Sequence, residues 1–163
     1  MKKVEGYVYI MGDNISTDDI VPSHCLTLRD SMEMAQYTCE AIEANFTQKA
    51  KNLNIIVAGD NFGCGSSREE AVNVFKVLGI KAIIANSFAR IYFRNLINQG
   101  IPGITYQWDP RDFTEGDQIA IFLEKGIIQN KTNNTEFSFI QLPPFLLAIL
   151  EKGGILNQLR EKI

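Results

Sequence analysis

Leu53-Asn54-Ile55-Ile56-Val57-Ala58-Gly59-Asp60-Asn61-Phe62-Gly63-Cys64-Gly65-Ser66-Ser67-Arg68-Glu69-Glu70 is the stretch that decides the fold. Residues 53–58 form a compact run rich in β-branched side chains, the composition of a strand buried on both faces. Gly59-Asp60-Asn61 breaks that run, and Arg68-Glu69-Glu70 opens a helix. Ala71, Val74, Phe75 and Leu78 mark the inner face of that helix, Gly79 stops it, and residues 81–85 supply a second buried strand. Strand, loop, helix and strand in this order predict a βαβ crossover.

Downstream, Ser87 stands as the cap of a helix over 88–98 whose Phe88, Ile91, Tyr92 and Leu96 turn inward, and Gly100 ends it. Residues 101–106 return as a strand. Beyond Trp108-Asp109-Pro110 the pattern becomes β-rich: 118–123 and 126–129 flank Glu124-Lys125 as a hairpin, and 137–142 read as one further strand. Pro143-Pro144 opens a helix to Leu150, Gly153-Gly154 breaks it, and 155–163 add a helical tail. Upstream, alternation over 4–10 predicts a first strand leaving through Gly12-Asp13-Asn14, and 15–29 are irregular. From Ser31, read as a cap, Met32, Ala35, Cys39, Ile42 and Phe46 mark one amphipathic helix. The class is α/β, with one domain expected over 1–163 and no internal repeat.

The composition excludes several functions. With 163 residues, 45% of them apolar, the chain has material for a sizeable core. A net charge of −3 offers no general attraction for nucleic acid or an anionic membrane, and neither is expected as a partner. The apolar stretches near 55–59 and 145–150 fall far short of the roughly 20 residues that a bilayer demands. Cys25, Cys39 and Cys64 are odd in number and form no CxxC motif, the usage of a reducing compartment. Residues 1–11 are interrupted by Glu5 and Gly6 and are too short for a signal segment, so a cytoplasmic location is expected.

The chemistry concentrates in 61–69. Two glycines let backbone approach a ligand, a helix start presents unpaired N–H groups, and the Arg68 guanidinium can grip a carboxylate with two parallel hydrogen bonds. That is a small-carboxylate site; the competing reading is a glycine turn with serine caps and Arg68 paired to a nearby acid. The loop lacks the P-loop, dinucleotide and nucleophile-elbow patterns. Cys64 has only His24 as a conceivable base, forty residues away in sequence, and no metal-ligand cluster is expected. Asp13, Asp18 and Asp19 read as turn caps or as partners for Arg68, without EF-hand spacing. Arg90 and Arg94, one helical turn apart, form either one basic patch or two solvated or ion-paired side chains.

Three stretches taken together, 12–18, 61–69 and 87–95 followed by Gly100-Ile101-Pro102, resemble the small subunits of 3-isopropylmalate dehydratase, separate-chain counterparts of the aconitase swivel domain. The likeness spans essentially the whole chain, and Gly63-Cys64-Gly65-Ser66-Ser67-Arg68-Glu69 is its most specific part. It implies a swivelling β/β/α three-layer domain of the aconitase C-terminal type. It also implies a hydro-lyase that removes water from a small 2-hydroxy diacid and returns it at the neighbouring carbon. The [4Fe–4S] cluster that acts as Lewis acid belongs, by this resemblance, to an iron–sulfur large subunit; none is expected in this chain, which would be inactive alone.

By motif position Ser66 resembles the base that takes the proton next to a carboxylate, and Ser67 and Arg68 resemble carboxylate-binding groups. Asp18 matches the acid that orients a group in the site. Cys25-Leu26-Thr27-Leu28 occupies the position of a loop that meets the variable part of the substrate. Homoaconitase-like members carry arginine where this chain has Thr27, which favours an apolar substituent, whereas Arg29 keeps tricarboxylic substrates open. Glu70 replaces a histidine common among isopropylmalate members. Isopropylmalate in leucine biosynthesis is therefore the main expectation. Homoaconitase, a methyl- or dimethylmalate hydro-lyase and a non-catalytic anion-binding module are the alternatives.

Overall fold

In the computed structural model, which describes residues 3–161, the β-branched run becomes β2 (Ile55–Ala58), with all four residues buried. It pairs in parallel with β1 (Lys3–Ile10) on one side and β3 (Ala82–Ala85) on the other, and β4 (Gly103–Thr105) extends the parallel half. On its far edge β1 pairs antiparallel with β5 (Gln118–Phe122), and β6 (Ile127–Asn130) and β7 (Thr135–Ser138) complete a seven-stranded sheet ordered β4-β3-β2-β1-β5-β6-β7. The expected crossover is present: α4 (Glu70–Leu78) links β2 to β3 and ends on Gly79 at φ +82°, and α5 (Arg90–Asn98) links β3 to β4.

Alternate residues of the parallel strands feed two cores. Ile56, Ala58, Ile83 and Ala85 face a helical layer that includes Ala71, Phe75, Tyr92 and Leu96. Ile55, Val57, Ala82 and Ile84 face the opposite way and pack with Ile119, Ile121 and Ile128 of the antiparallel half and Leu150 of α6 (Pro144–Glu151). The sheet curls so that its antiparallel half covers the second face of its parallel half, which gives the three-layer β/β/α arrangement. α7 (Ile155–Glu161) follows, and residues 162 and 163 of the expected tail lie outside the described residues. No described helix is long and apolar enough to cross a membrane.

The single helix expected from Ser31 is broken into α2 (Ser31–Ala35) and α3 (Phe46–Lys49), after a short α1 (Thr17–Ile20). Cys39 takes φ +56° and donates its N–H to the Ile20 carbonyl at 2.9 Å, a long-range bond that a continuous helix could not make. Asp30 is the cap of α2, accepting from the Met32 N–H at 3.0 Å, and Met32 and Ile42 are exposed although Ala35, Cys39 and Phe46 are buried. Ser87 caps nothing: α5 starts after Ala89, and Ile91 faces outward. The strand expected over 137–142 begins earlier, because Asn134 at φ +58° closes a turn that pairs Thr135 with Asn130.

Phe75 is fully buried between Phe46 and Phe62, with ring centroids 6.1 Å and 6.4 Å away. Phe75→Ala should lower stability by about 3–5 kcal/mol, read from the midpoint of urea unfolding at an unchanged slope.

Candidate functional site

The loops that leave the carboxyl ends of β1, β2 and β3 are tied to one another through backbone, at the end of a parallel sheet where ligands commonly bind. On one side, Asn14 donates to Asp60 O at 2.7 Å, Gly63 to Ile15 O at 2.7 Å and Thr17 to Cys64 O at 2.9 Å. Asp13 Oδ1 accepts from the Asp60 N–H at 2.7 Å, and the Thr17 hydroxyl donates to Ser66 O at 2.7 Å. On the other side, Phe62 donates to Ser87 O at 3.0 Å and Ala89 to Phe62 O at 2.9 Å. The Ser87 hydroxyl is spent on this junction, accepting from the Asn61 N–H at 2.7 Å.

Two glycines make the junction possible. Gly63, at φ +83°, lies under the Tyr92 ring, which any Cβ there would overlap, and Gly65 turns the chain at φ +92°. Tyr92 is buried and donates its hydroxyl to Ala71 O at 2.7 Å, which locks the first turns of α4 and α5 together. Burial pushes its phenol well above the ordinary value, so it stays protonated and keeps donating.

The chain then leaves its polar side chains uncommitted. No side chain caps α4 or α5, and among the described residues neither Ser66 nor Ser67 spends its exposed hydroxyl on a hydrogen bond within the chain. Arg68 is largely buried and forms an ion pair with the exposed Asp18 carboxylate, although its buried Nη1 makes no well-aligned hydrogen bond there. The glycine-turn reading of 61–69 is thus met in one half only: Arg68 is paired to an acid, but the serines are not caps.

A cavity of about 370 Å³ opens beside this loop, lined on one side by Thr17, Gly63, Gly65, Ser67 and Arg68. The first turns of α5 supply the other wall, with Ala89, Arg90, Ile91, Tyr92 and Asn95. Ser67 and Arg68 therefore meet in one cavity; Asp18 joins them through Arg68, and Ser66 through its carbonyl bond to Thr17. Residues 25–29 do not line it. Cys25 is buried in the helical-layer core, where desolvation pushes its thiol up, so it presents no side chain to a substrate. Leu28 packs against the same core, whereas Leu26, Thr27 and Arg29 are exposed.

Thr17, Ile91 and Asn95 line the cavity but were not among the site residues expected from the sequence. The signal available for Thr17 was its place inside the capping box Ser16-Thr17-Asp18-Asp19, in which Ser16 and Asp19 bond each other's backbone. Arg90 and Arg94 both line a groove between α5 and α6, and Arg90 also reaches the cavity, which Arg94 does not. Among the described residues no three His, Cys, Asp or Glu side chains converge on a metal position. Cys25 and Cys39 are buried, Cys64 is half-buried, and His24 pairs with Glu40 at 3.3 Å, so this donor set does not fit an iron–sulfur cluster.

The sequence profile of the aconitase C-terminal domain matches residues 11–108, which include every residue of the cavity. The 3-isopropylmalate dehydratase small subunit 1 of Thermotoga maritima is 43% identical over 97% of this chain and 95% of its own length. The corresponding small subunit of Helicobacter hepaticus is 44% identical over 95% of this chain and 94% of its own. The chain belongs to the 3-isopropylmalate dehydratase small-subunit family. A crystal structure titled 3-isopropylmalate dehydratase, from Methanocaldococcus jannaschii, superposes with a TM-score of 0.90 at 39% identity, covering 98% of this chain and 95% of that one. The likeness therefore extends past residue 108 into the antiparallel half and α6, and the family fold is that of the whole described chain.

Thr17→Val keeps the side-chain volume but removes the hydroxyl that satisfies Ser66 O. The expected result is a loss of about 1 kcal/mol, read by urea unfolding, with the far-ultraviolet circular dichroism spectrum unchanged.

Proposed function

We propose that the chain is the small subunit of a 3-isopropylmalate dehydratase which, with a large subunit, interconverts 2-isopropylmalate and 3-isopropylmalate by dehydration and rehydration in leucine biosynthesis. The observation that carries this reading is the pair of uncommitted serine hydroxyls directly before Arg68 in the chain, itself ion-paired with Asp18, on a loop fixed by backbone bonds. Near full-length identity to dehydratase small subunits supports the choice of reaction.

In this reading Arg68 binds a substrate carboxylate through its planar fork, Asp18 holds the guanidinium in place, and Ser67 adds a hydrogen bond to the same carboxylate. Ser66 takes the proton from the carbon next to that carboxylate as hydroxide leaves the neighbouring carbon. The base is the Ser66 alkoxide, which becomes the hydroxyl as it takes that proton; a serine hydroxyl in water ionises far too weakly, so forming the anion needs positive charge, oriented N–H groups and exclusion of solvent. The first two are supplied by Arg68 and the glycine loop, and the third requires the large subunit to cover the exposed serines. An iron–sulfur cluster held by that subunit supplies the Lewis acid for the departing hydroxyl. The loop carrying Thr27 and Arg29 runs on from α1, which bears Asp18, and in the assembled enzyme it meets the variable group of the substrate.

Ser66→Ala, assembled with the large subunit, should lose about 10²- to 10⁴-fold in kcat while unfolding like the wild type. Arg68→Lys should also raise KM, since the charge remains but the two-pronged grip does not. Normal turnover in both variants, or full dehydratase activity from the purified small chain alone, would sink these assignments.

Substrate choice follows from Thr27. Burying an alkyl group gains about 0.8 kcal/mol per methylene, whereas desolvating an unpaired carboxylate is costly, so the assembled enzyme should prefer isopropylmalate to homocitrate-type acids. Thr27→Arg should shift kcat/KM toward the tricarboxylic substrate. A wild-type preference for that substrate, abolished by Arg29→Ala, would instead make Arg29 the selector, and a preference for short methylated malates would point to a methylmalate hydro-lyase.

A further inference from the structure

We propose that Arg90 is a second carboxylate-binding residue of this site, an inference that rests on reading the substrate as a 2-hydroxy diacid. Such an acid brings two negative charges into the cavity. Arg68 is already compensated there, because the Asp18 carboxylate forms an ion pair with its guanidinium. Arg90 is the other cation that lines the cavity, and among the described residues it has no ion pair. It therefore carries the uncompensated positive charge that a dianion needs and that the Arg68–Asp18 pair cannot supply.

The backbone sets Arg90 facing the glycine loop. Ala89 is fixed by its bond to Phe62 O at 2.9 Å, Arg90 is the first residue of α5, and the missing side chain at Gly63 lets Tyr92 seat that first turn directly against the loop. Arg68 and Arg90 thus stand on different elements that line one cavity of about 370 Å³, space for a small acid. The Arg90 fork suits a carboxylate in the same bidentate way as Arg68, so the two arginines divide the two carboxylates between them. Arg94 is the internal comparison. It lies one turn further along the same helix and is likewise exposed and free of an ion pair among the described residues, but it does not line the cavity.

The test uses the small subunit assembled with its large subunit, comparing wild type with Arg90→Gln, Arg90→Lys and Arg94→Gln. Assembly is checked by size-exclusion chromatography, kinetics are measured with 2-isopropylmalate, and inhibition is measured with malonate and with isobutyrate as the dicarboxylate and monocarboxylate probes. Arg90→Gln should raise KM roughly tenfold to a hundredfold with a smaller change in kcat, and Arg90→Lys should recover part of the loss. Malonate should lose its advantage over isobutyrate in Arg90→Gln, a change that a merely structural role would not produce. Arg94→Gln should behave as the wild type. The proposal falls if Arg90→Gln leaves KM and malonate inhibition unchanged, if Arg94→Gln has the same effect, or if Arg90→Gln fails to assemble, which would make Arg90 a subunit contact. A wild-type assembly that turns over no 2-hydroxy diacid would overturn the functional reading itself, and this inference with it.

Discussion

The site depends on one close approach, the Tyr92 ring against the backbone of Gly63. With a Cβ at residue 63 the ring would have to move, and the Tyr92 hydroxyl would leave the Ala71 carbonyl that joins α5 to α4. The left-handed turn at Gly63 also aims its N–H at Ile15 O, which brings the segment after β1 onto the loop after β2. One missing side chain therefore sets two distances, from loop to helix and from loop to the neighbouring segment. The cavity is the space that remains between them, and a slightly different approach would close it or splay it open.

What the sequence reveals of this arrangement follows from the range of the interactions involved. The crossover through α4 was legible because its causes are local: a β-branched run, glycine stops at 59 and 79, and helical spacing between them. The break after α2 was not, since it rests on Cys39 bonding to Ile20, a partner nineteen residues away that no periodicity announces. Ser87 illustrates the same limit. Its position before an apolar helix looks like a cap, yet its hydroxyl is engaged by Asn61 on the next loop. The Ser67–Arg68 part of the site could be read because residue type and spacing within one loop carry it, whereas its meeting with Arg90 depends on where α5 packs. Cys25 shows the converse: a motif position places it on a substrate loop, and packing turns its side chain into the core.

The Arg68–Asp18 ion pair explains why the proposed reaction would need a second chain over this loop. While Asp18 is exposed, its attraction for Arg68 is screened by water, so the pair holds a geometry without holding a strong field. The Ser66 hydroxyl is likewise open to water. Covering the loop with a second protein surface changes all of these terms at once, because the same charges act through a lower dielectric and water no longer competes for the serine. Desolvation carries its own cost, and Arg68 remains tolerable when buried because Asp18 is already its partner. An acid at position 18 would therefore serve a covered state more than the open one: it would let the guanidinium enter a dry site as half of a pair and, in the proposed reaction, leave the second carboxylate of a diacid to a cation elsewhere in the cavity.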